Sequence, residues 1–401
     1  MVRAMGEGMT ACPVCGATDA VVTVTRDPLP TMQNYVYRTR EAALGAKRGV
    51  LTLSVCPHCS FAWNGTFDPA RLDYDAGYDN AVPSAVMAAY YEEIARYLGE
   101  KYDLARGYLV DIGCGNGTFL KAAARVWPEC RGLGVDPALP GDSTEADGRV
   151  RLVKGVFHDD LLEDVPSLFV CRHVLEHIPQ PVPFVRDLRD ALGDRAGVPL
   201  FVEVPDAGWI VHEQTFWDFC YEHCNYFSPA SLGSVLARAG FAPTATRVAF
   251  GNQYRWMEAV AAEPATPAPD EAAAAFVSAL QAYAAGERQR IAETRARLEA
   301  LKASGMRTVV WGMATKGVIF SLLVDRDAGG LLDLAVDVNT NKQGCFVPLS
   351  GRRIDAPDAL RTAEGRLAVL VMNTNYLDEI RRTCAAMGVE AAFFDAAVQA
   401  V

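Results

Sequence analysis

The 401-residue chain lacks several features that define large classes of proteins. It has no run of about 18 apolar residues, which a membrane-spanning helix needs, and its start, MVRAMGEGMT, has no apolar secretion-signal core. Basic residues do not dominate: 38 Lys and Arg stand against 49 Asp and Glu, a net charge of −11 that disfavours contact with phosphodiester backbones. The sequence therefore predicts a cytoplasmic protein that binds neither membranes nor nucleic acid.

Charged residues are few as well, at 22%, whereas half of the residues are hydrophobic, which is typical of a globular chain. A length of 401 residues exceeds what one core usually supports, so we expect several domains. Strand-like runs such as YLVDIG, RGLGVD and PLFVEVP alternate with helical stretches, which predicts a parallel sheet wrapped by helices. The predicted boundaries are 1–72, 73–263, 264–304 and 305–401.

The third of these segments, 264–304, is predicted to be a linker followed by a connecting helix rich in Ala, Glu and Arg. Asp270 is its expected N-cap, and Gly305 is expected just after its C-terminus. The runs MRTVVWG, LLDLAVDV and LAVLVMN beyond it predict a second, smaller α/β domain.

Eleven cysteines are present, and most are isolated in apolar segments, as expected of reduced thiols. Four of them form two CxxC pairs separated by 40 residues: Cys12, Cys15, Cys56 and Cys59. Two such pairs complete a tetrahedral four-sulfur site, so we predict a structural zinc ion that takes no part in chemistry. Zinc ribbons that bind RNA share this spacing, but no row of base-stacking aromatic residues accompanies it here.

The segment VDIGCGNG at 110–117 follows a predicted strand and opens a helical run. Glycines let the backbone approach a ligand closely, and the helix N-terminus favours an anionic group. A dinucleotide-binding loop expects glycine where Thr118 stands, and a P-loop Gly-Lys-Ser/Thr is lacking. The pattern DxGxGxG instead resembles the class I S-adenosylmethionine (SAM) methyltransferases.

That resemblance implies a set of cofactor-binding residues along successive strand ends. The acidic residue that ends the second strand is expected at the ribose hydroxyls, and the aromatic residue after the third strand is expected beside the adenine. The predicted set is Asp111, Gly113, Gly115, Asn116, Gly117, Asp136, Pro137, Phe157, Arg172 and His173.

Two further segments carry polar residues where the chemistry is expected, outside the carboxyl ends of the strands. RHVLEHIP follows the predicted fourth strand, and its His177 is either a site residue or the cap of a turn. FCYEHCNYF at 219–227 places ionisable groups among aromatic residues, a mixture that is unusual for a plain core.

Across nearly its whole length the chain resembles the sugar C-methyltransferases. The shared features are the four-cysteine module, YDAGYDN, the SAM loop, EHCNYFS, and the C-terminal segments VVWGMATKG and VDVNTNKQG. Those enzymes methylate the carbon beside the ketone of a nucleotide-linked keto sugar. The resemblance implies an α/β fold with a class I SAM methyltransferase sheet, a small zinc-binding N-terminal module and a Rossmann-like C-terminal substrate domain. It also implies SAM and structural zinc as cofactors, a small-molecule substrate, and a monomer or homodimer.

The resemblance also implies roles at the reacting carbon. His223 is the expected base with Glu222 orienting it, and His177 and Tyr226 are the expected donors to the enolate oxygen. The family's Tyr-His-Glu-His is replaced here by Cys-Tyr-Glu-His, so the tyrosine that assists enolate formation is absent or displaced to Tyr221. Whether His223, His177 or Tyr221 is the base stays open, as does methylation of oxygen or nitrogen in place of carbon.

Substrate-binding residues are expected in the tyrosine-rich segment, at one turn of the central domain and at strand ends of the C-terminal domain. Lys316 in particular is expected near a diphosphate, although each of these positions also suits an ordinary loop residue. The predicted set is Tyr78, Asn80, Asn252, Gln253, Tyr254, Lys316 and Asn373.

Overall fold

The protein is described by a computed structural model for residues 11–72, 74, 77–193, 197–268 and 271–401, and the predicted N-cap Asp270 lies outside these residues. The strands are β1 (Val21–Pro30), β2 (Arg48–Val55), β3 (Ala62–Asn64), β4 (Tyr108–Ile112), β5 (Arg131–Asp136), β6 (Ser143–Glu145), β7 (Val150–Lys154), β8 (Leu168–Arg172), β9 (Pro199–Pro205), β10 (Asn225–Tyr226), β11 (Phe241–Ala249), β12 (Tyr254–Ala261), β13 (Met306–Trp311), β14 (Leu334–Val336), β15 (Arg366–Val371) and β16 (Ala391–Asp395). The helices are α1 (Arg40–Leu44), α2 (Ala85–Tyr102), α3 (Thr118–Val126), α4 (Pro181–Asp190), α5 (Ala207–His212), α6 (Pro229–Ala239), α7 (Glu271–Ala303), α8 (Thr315–Asp325) and α9 (Leu377–Ala386).

The central sheet has eight strands in the order β11-β12-β9-β8-β4-β5-β7-β6. Strands β4, β5, β7, β8 and β9 are parallel, whereas β12 runs antiparallel to both β9 and β11. Every residue of β4 and β8 is buried, as expected of strands that are covered by helices on both faces. The predicted class I methyltransferase fold is therefore confirmed.

Helices cover the central sheet in the way the sequence pattern predicts. On one face, α2 buries Tyr90, Ile94 and Leu98 at helical spacing, and it packs against α3. Ser84 begins α2 as its N-cap, since its hydroxyl accepts from the Val86 amide at 3.1 Å. On the other face, α4 and α6 pack against each other.

The C-terminal sheet has four parallel strands in the order β14-β13-β15-β16, which confirms the predicted second α/β unit. The long helix α7 leads into it, and Gly305 follows that helix with a φ of 80°, the left-handed conformation expected after a helix end. The predicted stripe of Phe276, Leu280 and Tyr283 is buried in a core that α7 shares with the N-terminal sheet and the C-terminal domain.

The N-terminal sheet is antiparallel, in the order β1-β2-β3-β10, and its last strand comes from a distant part of the chain. Strand β10 lies in the segment FCYEHCNYF, with Asn225 opposite Trp63 and Tyr226 opposite Ala62. The segment 219–227, which is predicted to be catalytic and hereafter called the catalytic segment, is thus part of the N-terminal sheet. Within the described part of the chain, no helix has both the length and the apolar character needed to cross a bilayer.

Gly49 on β2 allows the catalytic segment to pack closely on this sheet, because a Cβ atom there would lie 2.2 Å from Cε2 of the buried Tyr221 ring. We therefore expect Gly49→Ala to lower the free energy of unfolding by roughly 1–3 kcal/mol through overpacking. Urea unfolding measures this. Gly141→Ala is the matched control, since a Cβ there meets nothing within 4 Å and its backbone is not left-handed. Equal effects of the two substitutions would contradict the close packing.

Candidate active site

The glycine-rich loop after β4 is shaped by backbone geometry that only glycine adopts freely. Gly113, Gly115 and Gly117 have φ values of 71°, 55° and 72°. A Cβ at Gly113 would lie 2.3 Å from Val174 Cγ2, and one at Gly117 would lie 2.8 Å from Leu152, so both glycines face protein. At Gly115 nothing lies within 4 Å, which leaves that side of the loop open to a ligand.

Two predicted cofactor carboxylates flank this loop. Asp136 Oδ2 accepts from the Gly115 amide and its Oδ1 accepts from the Ala138 amide, each at 2.8 Å. Asp111 is buried, and burial raises its pKa to about 7, with Arg172 opposing the shift and Asp136 adding to it. A cationic group beside Asp111, such as the ammonium of SAM, favours its ionised form.

Arg172 lies at the end of β8 between the Tyr91 and Phe119 rings, whose centroids are 4.7 and 4.8 Å from its guanidinium carbon. Its Nε donates to Glu203 at 2.5 Å. Its Nη2 is buried and has no partner among the described residues. A buried guanidinium with a spare donor suits a carboxylate, so the donor set here fits the methionine end of SAM.

The remaining predicted cofactor residues differ in their surroundings. Phe157 packs edge-on against Phe169 with ring centroids 5.6 Å apart. Asn116 is exposed and its Oδ1 accepts from the Thr118 amide at 3.2 Å, which supports the start of α3. Pro137 is exposed at the end of β5, and the His173 ring lies 4.5 Å from the Tyr254 ring.

A cluster of one carboxylate and two imidazoles lies at the same edge of the sheet. Donor atoms of Glu176, His177 and His223 are all within 4.8 Å of one another, and the two rings are perpendicular with centroids 5.0 Å apart. The structure thus brings together the two histidines that the sequence placed 46 residues apart. It adds Glu176, which sequence reasoning missed although it stands beside His177 in LEHIP.

Glu176 is ionised although it is 2% exposed. Burial acts to raise the pKa of Glu176, but a hydrogen bond from His173, followed by the nearby His177, outweighs burial and lowers it. Its Oε2 is buried without a hydrogen-bond partner among the described residues. The site therefore contains a negative oxygen that is available to a further group.

His223 differs from Glu176 in that its side chain is uncharged. Burial, followed by the nearby His177, lowers the pKa of His223 to about 3, against an opposing effect of Glu176. The ring is therefore neutral at physiological pH and has a lone pair to accept a proton. No hydrogen bond to this ring is formed within the described ranges of the chain.

Asn225 holds the two imidazole segments together. Its side-chain amide donates to Leu175 O at 2.7 Å and to Ile178 O at 2.6 Å, and these carbonyls flank the short turn that carries His177. Since Asn225 is also paired with β3, the positions of His177 and His223 are fixed by one residue.

Glu222 does not orient His223, and that prediction is wrong. Its Oε1 accepts from the Tyr74 hydroxyl at 3.3 Å and lies 3.9 Å from His177 Nδ1, while its Oε2 faces the Gln33 amide at 3.4 Å. The side chains of these neighbouring residues diverge, so Glu222 faces the N-terminal segment. Glu176 is the carboxylate beside His223.

Two predicted tyrosines are structural. The Tyr226 hydroxyl donates to Cys220 O at 2.8 Å and accepts from Cys220 N at 3.0 Å, so it has no hydrogen left for an enolate. The Tyr221 hydroxyl accepts from the Asp68 amide at 2.9 Å, which turns this ring towards the N-terminal module and away from the imidazoles. The catalytic roles of both residues stay predictions; in this arrangement both hydroxyls are bonded to backbone groups, and the Tyr226 ring lies 6.3 Å from the His223 ring.

The tyrosines that do reach the site come from the tyrosine-rich segment. Tyr74 lies 3.1 Å from His177 Nδ1, and Tyr78 packs against Tyr74 with ring centroids 5.0 Å apart. Burial and the Glu222 charge raise the pKa of both hydroxyls, which keeps them protonated. Tyr78 was predicted as a substrate residue, whereas Tyr74 was missed even though it opens the YDAGYDN motif.

Several predicted substrate residues bind other protein groups. Lys316 Nζ forms an ion pair with Asp218 at 2.6 Å, so its charge is already compensated. Gln253 and Asn373 exchange two amide hydrogen bonds of 2.9 and 3.0 Å across the boundary between the central and C-terminal domains. Asn80 and Asn252 are exposed.

The four N-terminal thiols converge as the spacing predicts. Sγ of Cys12 lies 3.6 Å from Sγ of Cys59, Sγ of Cys15 lies 3.5 Å from Sγ of Cys56, and all four are within 4.8 Å. Zinc–sulfur bonds of about 2.3 Å in a tetrahedron place sulfur atoms about 3.8 Å apart, so the thiols fit the ion. His58 in the second turn faces outward and pairs with Asp19 at 2.9 Å.

Known proteins match the central and C-terminal parts of the chain. A family described as a methyltransferase domain matches residues 84–246, and one described as a C-methyltransferase C-terminal domain matches residues 262–394. The ubiquinone biosynthesis O-methyltransferase of Xanthomonas oryzae pv. oryzae is 26% identical over 139 residues, which cover 31% of this chain and 56% of that protein. The chain thus spans about half the length of the curated relatives it matches.

Solved structures that are similar include an O-methyltransferase from neocarzinostatin biosynthesis in complex with SAM and 2-hydroxy-5-methyl naphthoic acid. It is 25% identical, with 44% of this chain and 57% of that chain covered and a TM-score of 0.33. Human N-acetylserotonin methyltransferase in complex with SAM is 17% identical, with 44% and 55% covered and a TM-score of 0.34.

The parallel sheet and the glycine-rich loop have the class I SAM methyltransferase fold, and residues 84–246 match a methyltransferase domain. Residues 262–394 match a C-methyltransferase C-terminal domain, so both matched parts of the chain are similar to methyltransferases.

Asp111 provides a test of the electrostatics in the cofactor pocket. Its folded pKa of about 7 lies above the usual value near 4, so the ionised carboxylate destabilises the fold increasingly between about pH 4 and pH 7. We expect Asp111→Asn to stabilise the SAM-free protein at pH 8 by up to about 4 kcal/mol, and by progressively less at pH 6 and pH 5.

Urea unfolding at the three pH values measures the trend. Asp378→Asn is the control, since that side chain is 82% exposed and is expected to show no such trend. A pH-independent effect of Asp111→Asn would contradict the raised pKa.

Proposed function

We propose that this enzyme transfers the methyl group of SAM to the carbon beside the ketone of a nucleotide-linked keto sugar or a related polar metabolite. The observation that carries the proposal is the neutral, unpartnered imidazole of His223 next to the ionised carboxylate of Glu176. A carbon acid needs a base that is unprotonated at neutral pH, whereas methylation of an alcohol or amine does not require one at the acceptor carbon. The match of residues 262–394 to a C-methyltransferase domain supports the same choice.

In this proposal the cofactor lies along the carboxyl edge of β4, β5 and β8. Asp111 faces the ammonium, Arg172 Nη2 binds the carboxylate, and the open side of Gly115 admits the chain of the methionine part. The bound cofactor supplies a methyl group on a positively charged sulfur. Asp136 and Phe157 lie further along the same edge and suit the ribose and the adenine.

His223 removes the proton from the acceptor carbon, and the buried Glu176 carboxylate stabilises the imidazolium that forms. His177 is the donor to the enolate oxygen: Tyr74 and Glu222 lie at its Nδ1, so Nε2 is the atom left to face the acceptor. The resulting enolate would take the methyl group from SAM held by Asp111 and Arg172, and the sulfur would leave as the neutral thioether of S-adenosylhomocysteine.

Replacement of His223 tests this function. We expect His223→Gln to bind S-adenosylhomocysteine with normal affinity but to lose both methyl transfer and exchange of the acceptor hydrogen with deuterated water, by about 100- to 10,000-fold. Mass spectrometry of a panel of nucleoside-diphosphate keto sugars measures both reactions.

His212→Gln is the matched control, because its side chain is 85% exposed on the far end of α5. Methylation of an oxygen or nitrogen atom without any hydrogen exchange would overturn C-methylation and favour the O- or N-methyltransferase alternative.

We also propose that Cys12, Cys15, Cys56 and Cys59 bind one zinc ion that holds β3 in place. Because β10 pairs with β3, we expect zinc removal by Cys56→Ser to abolish methyl transfer more strongly than it weakens SAM binding. Metal analysis, calorimetry with S-adenosylhomocysteine and activity assays measure the three effects. Cys384→Ser, at a buried thiol outside the cluster, is expected to retain one zinc ion per chain. Full activity of zinc-free protein would refute the structural role.

A further inference from the structure

The site contains donor atoms that suit a metal ion as well as proton transfer, from Glu176, His177 and His223. Two imidazoles and one carboxylate, with all donor atoms within 4.8 Å, form the combination that divalent zinc, cobalt, nickel and iron prefer. Magnesium and calcium favour oxygen ligands, so this set selects against them. It differs from the N-terminal thiolates, which fill all four positions of a tetrahedron.

Glu176 is oriented as a metal ligand by a neighbouring residue. Its Oε1 lies 3.4 Å from His173 Nδ1, and His173 Nε2 lies 3.7 Å from the buried Glu203 carboxylate. This arrangement leaves Oε2 buried and unpartnered within the part of the chain that the structure describes. A carboxylate oxygen without a partner is costly in a protein interior, and a cation between it and the imidazoles removes that cost.

His177 has the outer hydrogen bond that metal-binding histidines usually have. Since Tyr74 donates its one hydroxyl proton to Glu222, the Tyr74 oxygen is left to accept from Nδ1–H of His177, 3.1 Å away. This tautomer leaves the lone pair of Nε2 free for a metal ion. Glu222, 3.9 Å from His177 Nδ1, adds a second negative charge near the site.

His223 completes the set, because its ring forms no hydrogen bond within the described residues. Asn225 fixes its segment against the His177 turn, so the three ligands do not have to be gathered when an ion binds. A nearby positive charge, Lys316, is compensated by Asp218 at 2.6 Å and therefore opposes a cation only weakly.

We propose that Glu176, His177 and His223 form a second metal site, which binds zinc, cobalt or nickel and thereby inhibits methyl transfer. Binding occupies the lone pair of His223 that accepts the proton and the Nε2 of His177 that faces the enolate, so metal ligation and catalysis exclude each other. The inhibitory part rests on the proposed function, whereas the metal site itself does not.

Cobalt titration of the full-length protein tests the site, with the four N-terminal thiolates first loaded with zinc. We expect one additional cobalt ion per chain, with visible absorption bands of nitrogen and oxygen ligands and without the strong near-ultraviolet sulfur-to-metal band that cobalt in the thiolate site produces. Methyl transfer is expected to fall in proportion to cobalt occupancy and to return when a mild chelator removes cobalt but leaves zinc.

Glu176→Gln and His223→Gln are each expected to weaken cobalt binding by at least about 100-fold. His212→Gln, at a fully solvated ring, is expected to bind cobalt like the wild type. Zinc content and thermal unfolding show whether each variant folds. If Glu176→Gln or His223→Gln fails to fold, the cobalt affinity of the other variant tests the site.

The metal site is overturned if wild-type protein takes up no second cobalt ion, or if both folded variants bind it normally. Inhibition is overturned if activity rises with cobalt occupancy. Failure of the proposed function has a different signature: cobalt binds as expected, but the cobalt-free enzyme shows no hydrogen exchange at the acceptor carbon.

Discussion

The pairing of β10 with β3 is the interaction on which the active site depends. It makes two residues of the catalytic segment, Asn225 and Tyr226, the edge strand of a sheet whose other strands lie more than 150 residues earlier. From that position the Asn225 amide reaches the carbonyls of Leu175 and Ile178, and the Tyr226 hydroxyl binds the backbone of Cys220 on both sides. The N-terminal module is therefore part of the site.

Some buried charged groups have all their hydrogen-bond partners within the protein, whereas others do not. Away from the site, the buried pair of Arg26 and Glu287 is satisfied by two mutual hydrogen bonds and by bonds to Phe219 O and the Tyr283 hydroxyl. At the site, Arg172 Nη2 and Glu176 Oε2 are each buried without a partner among the described residues. Arg352 Nε and Asp218 Oδ2 also have no hydrogen-bond partner within the described part of the chain, so a missing hydrogen bond alone does not mark a ligand site; at the edge of the central sheet it coincides with the glycine-rich loop and the two imidazoles.

The cofactor half of the site was predictable because it is local. It consists of the loop, the end of β4 and the end of β5, which lie within 30 residues of one another in the sequence. Because the loop joins a strand directly to a helix, its geometry depends little on the rest of the fold. The acceptor half comes from segments that meet only in the folded protein. In FCYEHCNYF the sequence has no periodicity that reveals side-chain directions, and hydrogen bonds to Asp68 N and to the backbone of Cys220 decide where the hydroxyls of Tyr221 and Tyr226 lie. The pairing of Lys316 with Asp218 could not be predicted from the sequence either, because 98 residues separate the two.

The low basicity of His223 is consistent with a base that must act only when the acceptor is bound. Burial and His177 lower its pKa most, and Lys316 contributes in the same direction. The ion pair of Lys316 with Asp218 at 2.6 Å reduces this last contribution, so burial and His177 set the low basicity of His223. In the empty enzyme the same imidazole stays neutral throughout the physiological pH range. Under the proposed function, this neutral ring has its lone pair available to the acceptor carbon without first having to lose a proton.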